Sequence, residues 1–306
     1  MTGVQTCALP IFRTAASFLS VAPERIVNFR PDPGGLNNRT YRFESDGVPY
    51  FFRVPTLASR LFSDYANEIA ICDALRETGI ADRVVRIDPD TGIKLSFAET
   101  DVRTMNPLTC EEIARALATL RKLHHFSVPT LKKETLFERT RRFARIVSAK
   151  KLAIDAEIRN RLETLWELEP LLNDRPLVPV HGDLLPGNVL FFPDGKAILI
   201  DFEFAALGDP LEDLGSLYCH LPPESFSPDF CLKTYLNRTP TETETYLLFA
   251  YAELTALGWR LWAQLKIHEN ENVRDISAYD RLMIDYTTNH RSPTVPDQIA
   301  SGENRS

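Results

Sequence analysis

The stretch VPVHGDLLPGNVLFFPDGKAILIDFE, residues 178–203, constrains this chain more than any other. Two apolar runs, 189–192 and 197–200, flank Pro193, Asp194 and Gly195, which is the pattern of two buried strands joined by a tight turn. His181, Asp183 and Asn188 stand just before the first run, and Asp201 and Glu203 just after the second. A bland loop has no need of so many polar groups gathered at the open end of one hairpin. The hairpin therefore reads as the frame of a chemical site.

The bulk properties narrow what that site can serve. The chain has 306 residues, 44% of them hydrophobic and 25% charged, which suits a globular enzyme of one or two domains. No apolar run approaches the roughly 20 residues of a membrane helix, so no membrane insertion is expected. Net charge is −7 and basic residues are scattered. The densest basic group, residues 139–145, reads as a solvated helix face rather than a nucleic-acid footprint, so no nucleic-acid partner is expected. The acidic balance suits a small cation. None of the five cysteines forms a close Cys-x-x-Cys pair, so they read as buried thiols of a cytoplasmic protein.

Along the chain, MTGVQTCALPIF shows no helical or strand period and resembles a translated sequencing adapter, so residues 1–11 are set aside as non-native. RTYRFES and PYFFRVP flank Asp46-Gly47, a hairpin signal, and VVRIDPDTGIKLSF repeats strand, turn and strand. Between them Ile69, Cys72 and Leu75 keep a helical spacing with Gly79 as the stop. Past Pro107 the pattern turns helical. Thr109 and Glu112 form a capping-box signature, and helices are expected at 135–149, 155–173, 242–267 and 275–290. The layout is α+β: a small β-rich lobe over 12–98, a connector near 97–106, and a larger helical lobe over 99–290 that holds the polar hairpin. The polar tail 291–306 is expected to be disordered.

Kinase catalytic loops place an Asp, then an Asn five residues on, then a metal-binding Asp across a hairpin. Asp183, Asn188 and Asp201 have that order and spacing. HGDLLPGNVLF followed by LIDFEFAALGDPLEDLG resembles the choline/ethanolamine kinase family, LicA-like branch, of the aminoglycoside phosphotransferase and protein-kinase-like superfamily. The resemblance runs from about Gly34 to Tyr286 and implies a two-lobed protein-kinase-like fold that uses ATP and Mg2+. It implies that Asp183 positions and deprotonates a hydroxyl, and that Asn188 and Asp201 bind the metal. His181 would brace the loop, and Asp213 would fix its backbone from the next helix. PGGLNNRTYRF resembles the family's Gly-Gly-x-Ser-Asn loop, with Gly34, Gly35 and Asn38 matching and Asn37 in place of the frequent Ser. Arg53 falls at the phosphate-contacting position with Glu68 as its partner, and the connector at 97–99 would meet the adenine.

For the acceptor, Trp259 and Trp262 lie three residues apart on one helix face, and Tyr279 follows twenty residues after Trp259. Paired tryptophans on a helix are often core residues. Beside a kinase loop they resemble the aromatic choline pocket of choline kinases, where a quaternary ammonium rests on ring faces. Asp183 and Glu203 would supply a negative field. Leu185 departs from the polar residue of eukaryotic choline kinases, and SLYCHLPPESF lacks their acidic pocket residue. The implied partner is a small amino alcohol. A thiamine or aminoglycoside kinase and an inactive nucleotide-binding scaffold are the alternatives. His124 and His125 end the first long helix, and one of them is expected to pack between the lobes.

Overall fold

Alternation of large apolar side chains along β2 (Asn38–Ser45) and β3 (Val48–Pro55) makes one face of a hairpin apolar, and Phe43 and Phe52 are buried there. The two residues joining them, Asp46 (φ 52°) and Gly47 (φ 77°), both adopt positive φ, as a two-residue hairpin requires. A computed structural model describes residues 4–32, 35–172, 174–222 and 226–290, with side chains from Ile11 onward. Gly34 and the tail 291–306, both singled out above, lie outside the described residues.

The hairpin is the centre of a five-stranded antiparallel sheet. Its other strands are β1 (Ile26–Pro31), β4 (Val84–Ile87) and β5 (Lys94–Phe97), in the order β1-β2-β3-β5-β4. One face is covered by α1 (Val4–Leu19), whose Ala15 and Ala16 are buried while Phe12 and Phe18 meet Phe29 and Phe52 edge to face. The absence of period read in the first residues is thus corrected. That stretch is helical from Val4, and the helix meets the sheet through Phe12, Ala15, Ala16 and Phe18. Short α2 (Ser59–Phe62) and α3 (Tyr65–Leu75) follow the hairpin.

The second lobe is built on α9 (Glu242–His268), a 27-residue helix opened by a capping box between Thr241 and Glu244. Buried residues surround it, as expected of a central helix. Packed against it are α5 (Leu136–Ala149), α6 (Ala156–Trp166), α7 (Pro210–Cys219), α8 (Pro228–Leu236) and α10 (Val273–Asn289). At Gly215 of α7, a Cβ would lie 2.7 Å from the Ala252 backbone nitrogen, so only glycine permits this approach. Thr109 precedes α4 (Cys110–His124) as expected, but the capping box is not formed. Glu112 instead accepts from the Asn106 amide at 2.7 Å and pairs with Arg103.

Two small ladders carry the polar hairpin. Strand β8 (Val189–Phe191) pairs with β9 (Ala197–Leu199) on one side and with β6 (Arg103–Thr104) on the other. Strand β7 (Val178–Val180) pairs with β10 (Ala206–Gly208), and a bridge from Ala81 to Leu199 ties the two lobes.

Candidate active site

The chain leaves β7 through His181, Gly182 and Asp183, and each is pinned. Gly182 has φ 78°, and a Cβ there would stand 2.1 Å from the Phe204 carbonyl oxygen, so the turn demands glycine. The His181 ring donates from Nε2 to the Ile200 carbonyl at 2.8 Å, while Nδ1 accepts from the Asp183 amide at 3.3 Å. That assignment needs a neutral imidazole, and burial lowers its pKa accordingly. Asp213, in the first turns of α7, accepts from the His181 amide at 2.7 Å, the Gly182 amide at 2.8 Å and His124 Nε2 at 3.0 Å. Against burial, which would raise it, these donors hold the Asp213 carboxyl below its ordinary range.

His124 therefore differs from expectation. It bridges Asp213 and the Tyr235 hydroxyl (2.6 Å) inside the helical lobe, rather than packing between lobes, because α4 faces α7 and α8 there. His125 is exposed and bonds back to Arg121.

Asn188 directs its amide group at Asp183, donating to the backbone carbonyl at 2.9 Å and to Oδ2 at 3.2 Å. Asp183 Oδ1 is buried and has no hydrogen-bond partner among the described residues. Burial, then the nearby charges of Asp201 and Glu203, raise the Asp183 pKa well above the ordinary carboxylate range. An acceptor atom left open in this way suits a group that receives a proton. Asp201 has φ 67°, a left-handed backbone for a non-glycine residue, and its Oδ1 accepts from Arg53 at 2.8 Å. Such strain is held where the surrounding structure over-determines it.

Arg53 is 2% exposed and also donates to Glu68 Oε2 at 2.5 Å. Glu68, expected among the ATP-binding groups, is fully buried behind Arg53, so it orients that cation instead of facing a ligand. Glu203, expected to bind substrate, turns Oε1 to the loop that opens β2 and Oε2 to Ser63 after α2. These oxygens accept from Asn37 at 2.6 Å, Asn38 at 3.0 Å and Ser63 at 2.9 Å. Arg53, Asp183, Asn188, Asp201 and Glu203 line one cleft of about 530 Å³ between the lobes, together with Gly35, residues 97–99, and the aromatic residues.

Those rings form a box. Trp259 meets Trp262 edge to face at 5.6 Å, Trp262 meets Tyr279 at 5.9 Å, and Phe204 closes on Trp259 at 5.2 Å. The Tyr279 hydroxyl donates to His220 Nε2 at 2.7 Å, since His220 Nδ1 is donated to the Ser216 carbonyl at 2.7 Å. Burial pushes the His220 imidazole down to about 4, so it is neutral at physiological pH.

Comparison with known proteins places this arrangement. Residues 28–257 match the model of the phosphotransferase enzyme family, about three quarters of the chain. The chain belongs to the phosphotransferase enzyme family. Protein LicA of Haemophilus influenzae is 26% identical over 259 residues, spanning 78% of this chain and 94% of the relative. The choline kinase LicA of Streptococcus pneumoniae superposes with a TM-score of 0.74 at 18% identity, covering 93% of this chain and all of that one (100%). A choline/ethanolamine kinase family protein from Mesorhizobium loti gives 0.72 at 21% identity, over 95% and 98% of the two chains. The phosphotransferase therefore has the two-lobed, protein-kinase-like fold of these structures.

Whether its residues suit a magnesium ion can be judged from donor chemistry. Asn188 has its amide nitrogen committed to Asp183, which leaves the side-chain oxygen for a cation, and the Asp201 side chain is 34% exposed in the cleft. Two hard oxygens fit an ion that takes its other ligands from phosphates and water. Among the described residues no three His, Cys, Asp or Glu side chains form a closed metal cage.

Two features of the phosphotransferase site escape sequence reasoning. Arg139, in the basic group read as a solvated face, is 3% exposed. It donates to the Gly182 carbonyl at 2.6 Å and the Phe204 carbonyl at 2.7 Å, bracing both ends of the catalytic segment. The available signal was its position on the face of α5 that also carries Leu136 and Phe143. Lys94, buried in β5, pairs with Asp82 at 3.1 Å and Glu68 at 3.6 Å and lines the cleft. Its signal was a lone cation inside an apolar strand, a position that requires a partner.

Proposed function

We propose that this phosphotransferase transfers the γ-phosphoryl group of ATP to the hydroxyl of choline or a related small amino alcohol. The observation that carries the reading is the shared cleft: Asp183, with its open carboxylate oxygen, and the Trp259–Trp262–Tyr279 box line the same space. A quaternary ammonium donates no strong hydrogen bond and is held by ring faces. A small box of rings suits it better than it suits an aminoglycoside, whose many amines call for many carboxylates. The names of the relatives, LicA and choline/ethanolamine kinase, point the same way.

In this reading Asp183 orients the acceptor hydroxyl and takes its proton as the oxygen attacks the γ-phosphorus. The bond to the β–γ bridging oxygen breaks and ADP leaves. Arg53, held by Glu68, neutralises phosphate charge, and the loop with Gly35 and Asn38 covers the nucleotide. Residues 97–99 meet the adenine edge. Asn188 and Asp201 would hold Mg2+, which would neutralise charge on the phosphates. His181, Asp213 and Arg139 keep the segment in place.

The test is ATP consumption with choline, ethanolamine, thiamine or a kanamycin-type acceptor, with Asp183→Ala as control. Turnover on choline or ethanolamine, abolished in the control, is expected. Preferential turnover of thiamine or kanamycin would reassign the acceptor, and a folded protein that binds ATP without turnover on any acceptor would make it a scaffold.

A further inference from the structure

The loop that opens β2 is fastened to the helix carrying the aromatic box, and the fastening passes through one side chain. Asn37 uses both ends of its amide. Nδ2 donates to Glu203 Oε1 at 2.6 Å, and Oδ1 accepts from the Trp262 indole N–H at 3.1 Å and from Ser59 Oγ at 2.9 Å. The Asn37 carbonyl accepts from Lys266 Nζ at 2.7 Å, one turn beyond Trp262 on α9. Lys266 is fully buried, and its Nζ shares its three N–H bonds among that carbonyl, Thr56 Oγ1 at 2.9 Å, Ser59 Oγ at 3.0 Å and Glu271 Oε2 at 2.7 Å. A buried ammonium surrounded by acceptors is costly to uncouple. The loop and this part of α9 are therefore one mechanical unit.

An amide presents donors on one side and an acceptor on the other, which lets it join a carboxylate to an indole N–H. A serine hydroxyl at this position is too short to span both. The loop belongs to the nucleotide half of the cleft and Trp262 to the other half. We propose that the Asn37–Trp262 contact couples the two substrate sites: a nucleotide that engages the loop also sets the Trp262 ring for the acceptor. Coupling of this kind is reciprocal, so the acceptor tightens nucleotide binding by the same factor. Asn37 is a positioning residue in this scheme. Only the acceptor half rests on the proposed choline-like substrate.

Trp262→Phe keeps an aromatic face and removes the N–H. Its affinity for ADP with magnesium, measured by calorimetry without acceptor, is expected to fall about threefold to tenfold, the size of one net hydrogen bond. Trp166→Phe, which removes an indole N–H bonded to Thr140 away from the cleft, serves as the comparison and is expected to stay within about twofold of wild type, below that size. Asn37→Ala, which also frees Glu203 and Ser59, should lose at least as much, and the double variant no more than Asn37→Ala alone. Unchanged ADP affinity in Trp262→Phe, or additive losses in the double variant, overturns the proposal. If Asn37→Ala does not fold, Trp262→Phe alone decides. A second arm measures choline affinity with and without ADP. Wild type should bind choline more tightly with ADP present, and Trp262→Phe should lose that gain; an equal gain in both overturns the coupling. Should wild type not bind choline, the acceptor reading fails while the ADP measurements still decide the contact.

Discussion

Replacing Arg139 by methionine isolates what an inward-facing guanidinium does for the catalytic segment. The side chain is 3% exposed and its two terminal nitrogens donate to the Gly182 and Phe204 carbonyls at 2.6 and 2.7 Å. Methionine fills similar volume but leaves two buried acceptors without donors, at about 1–3 kcal/mol each. Relief from burying a charge offsets part of that, so a net loss of about 2–4 kcal/mol is expected. For a chain of this size the corresponding fall in Tm is roughly 5–10 °C. Gly182 precedes Asp183 directly, so turnover should fall too, on the order of 10-fold to 100-fold for a displaced base. Arg139→Lys, with one ammonium and no fork, should recover only part of both losses. The exposed Arg145, in the same basic group, gives the control: Arg145→Ala should change stability by less than about 0.5 kcal/mol. Scanning calorimetry and initial rates check all three. Wild-type Tm and turnover in Arg139→Met would refute the reasoning, because Asp213 and His181 would then suffice to hold the segment.

Gly215→Ala should destabilise the protein by about 1–3 kcal/mol, since the added methyl meets backbone and the Tyr251 Cβ at 2.7 Å; denaturant titration reads it, and no change would mean α7 can retreat from α9. Burial pushes the Glu212 carboxyl up to about 8, against Arg139 and with Asp209 adding to it. The folded state thus holds a proton that the unfolded chain has released, and stability should fall as pH rises from about 5 to about 8 and then level. Glu212→Gln should flatten that slope in Tm measured across this range, and an unchanged slope would remove Glu212 as its source. Trp259→Leu should weaken choline binding about threefold to thirtyfold, while ADP affinity stays within about twofold. Equal loss of both by calorimetry would make Trp259 a packing residue only.

The readable part of this protein is the part whose geometry is local. Asp183, Asn188 and Asp201 sit within one β-turn-β unit, so spacing along the chain specifies their spacing in space. Trp259 and Trp262 share a helix face by the period of the helix alone, and the Asp46-Gly47 turn follows from which residues tolerate positive φ. The α+β layout and the order of the lobes were legible too, since periodicity changes where the helices begin.

The direction each side chain takes, and the partners of buried charges such as Arg139, Glu203 and Lys266, were set by packing between segments distant in the chain. Arg139 and Arg145 belong to one basic run, yet one braces a backbone and the other faces water, because only one lies on the packed face of α5. Glu203 took Asn37, Asn38 and Ser63 as partners, which no local pattern indicates. Glu112 took an amide and Arg103 in place of the capping box. Trp262 found its acceptor 225 residues away, a separation over which no local pattern carries information. Burial supplies the physical reason. A charged or polar group removed from water must find a partner, and which distant group stands there is set by how the lobes close.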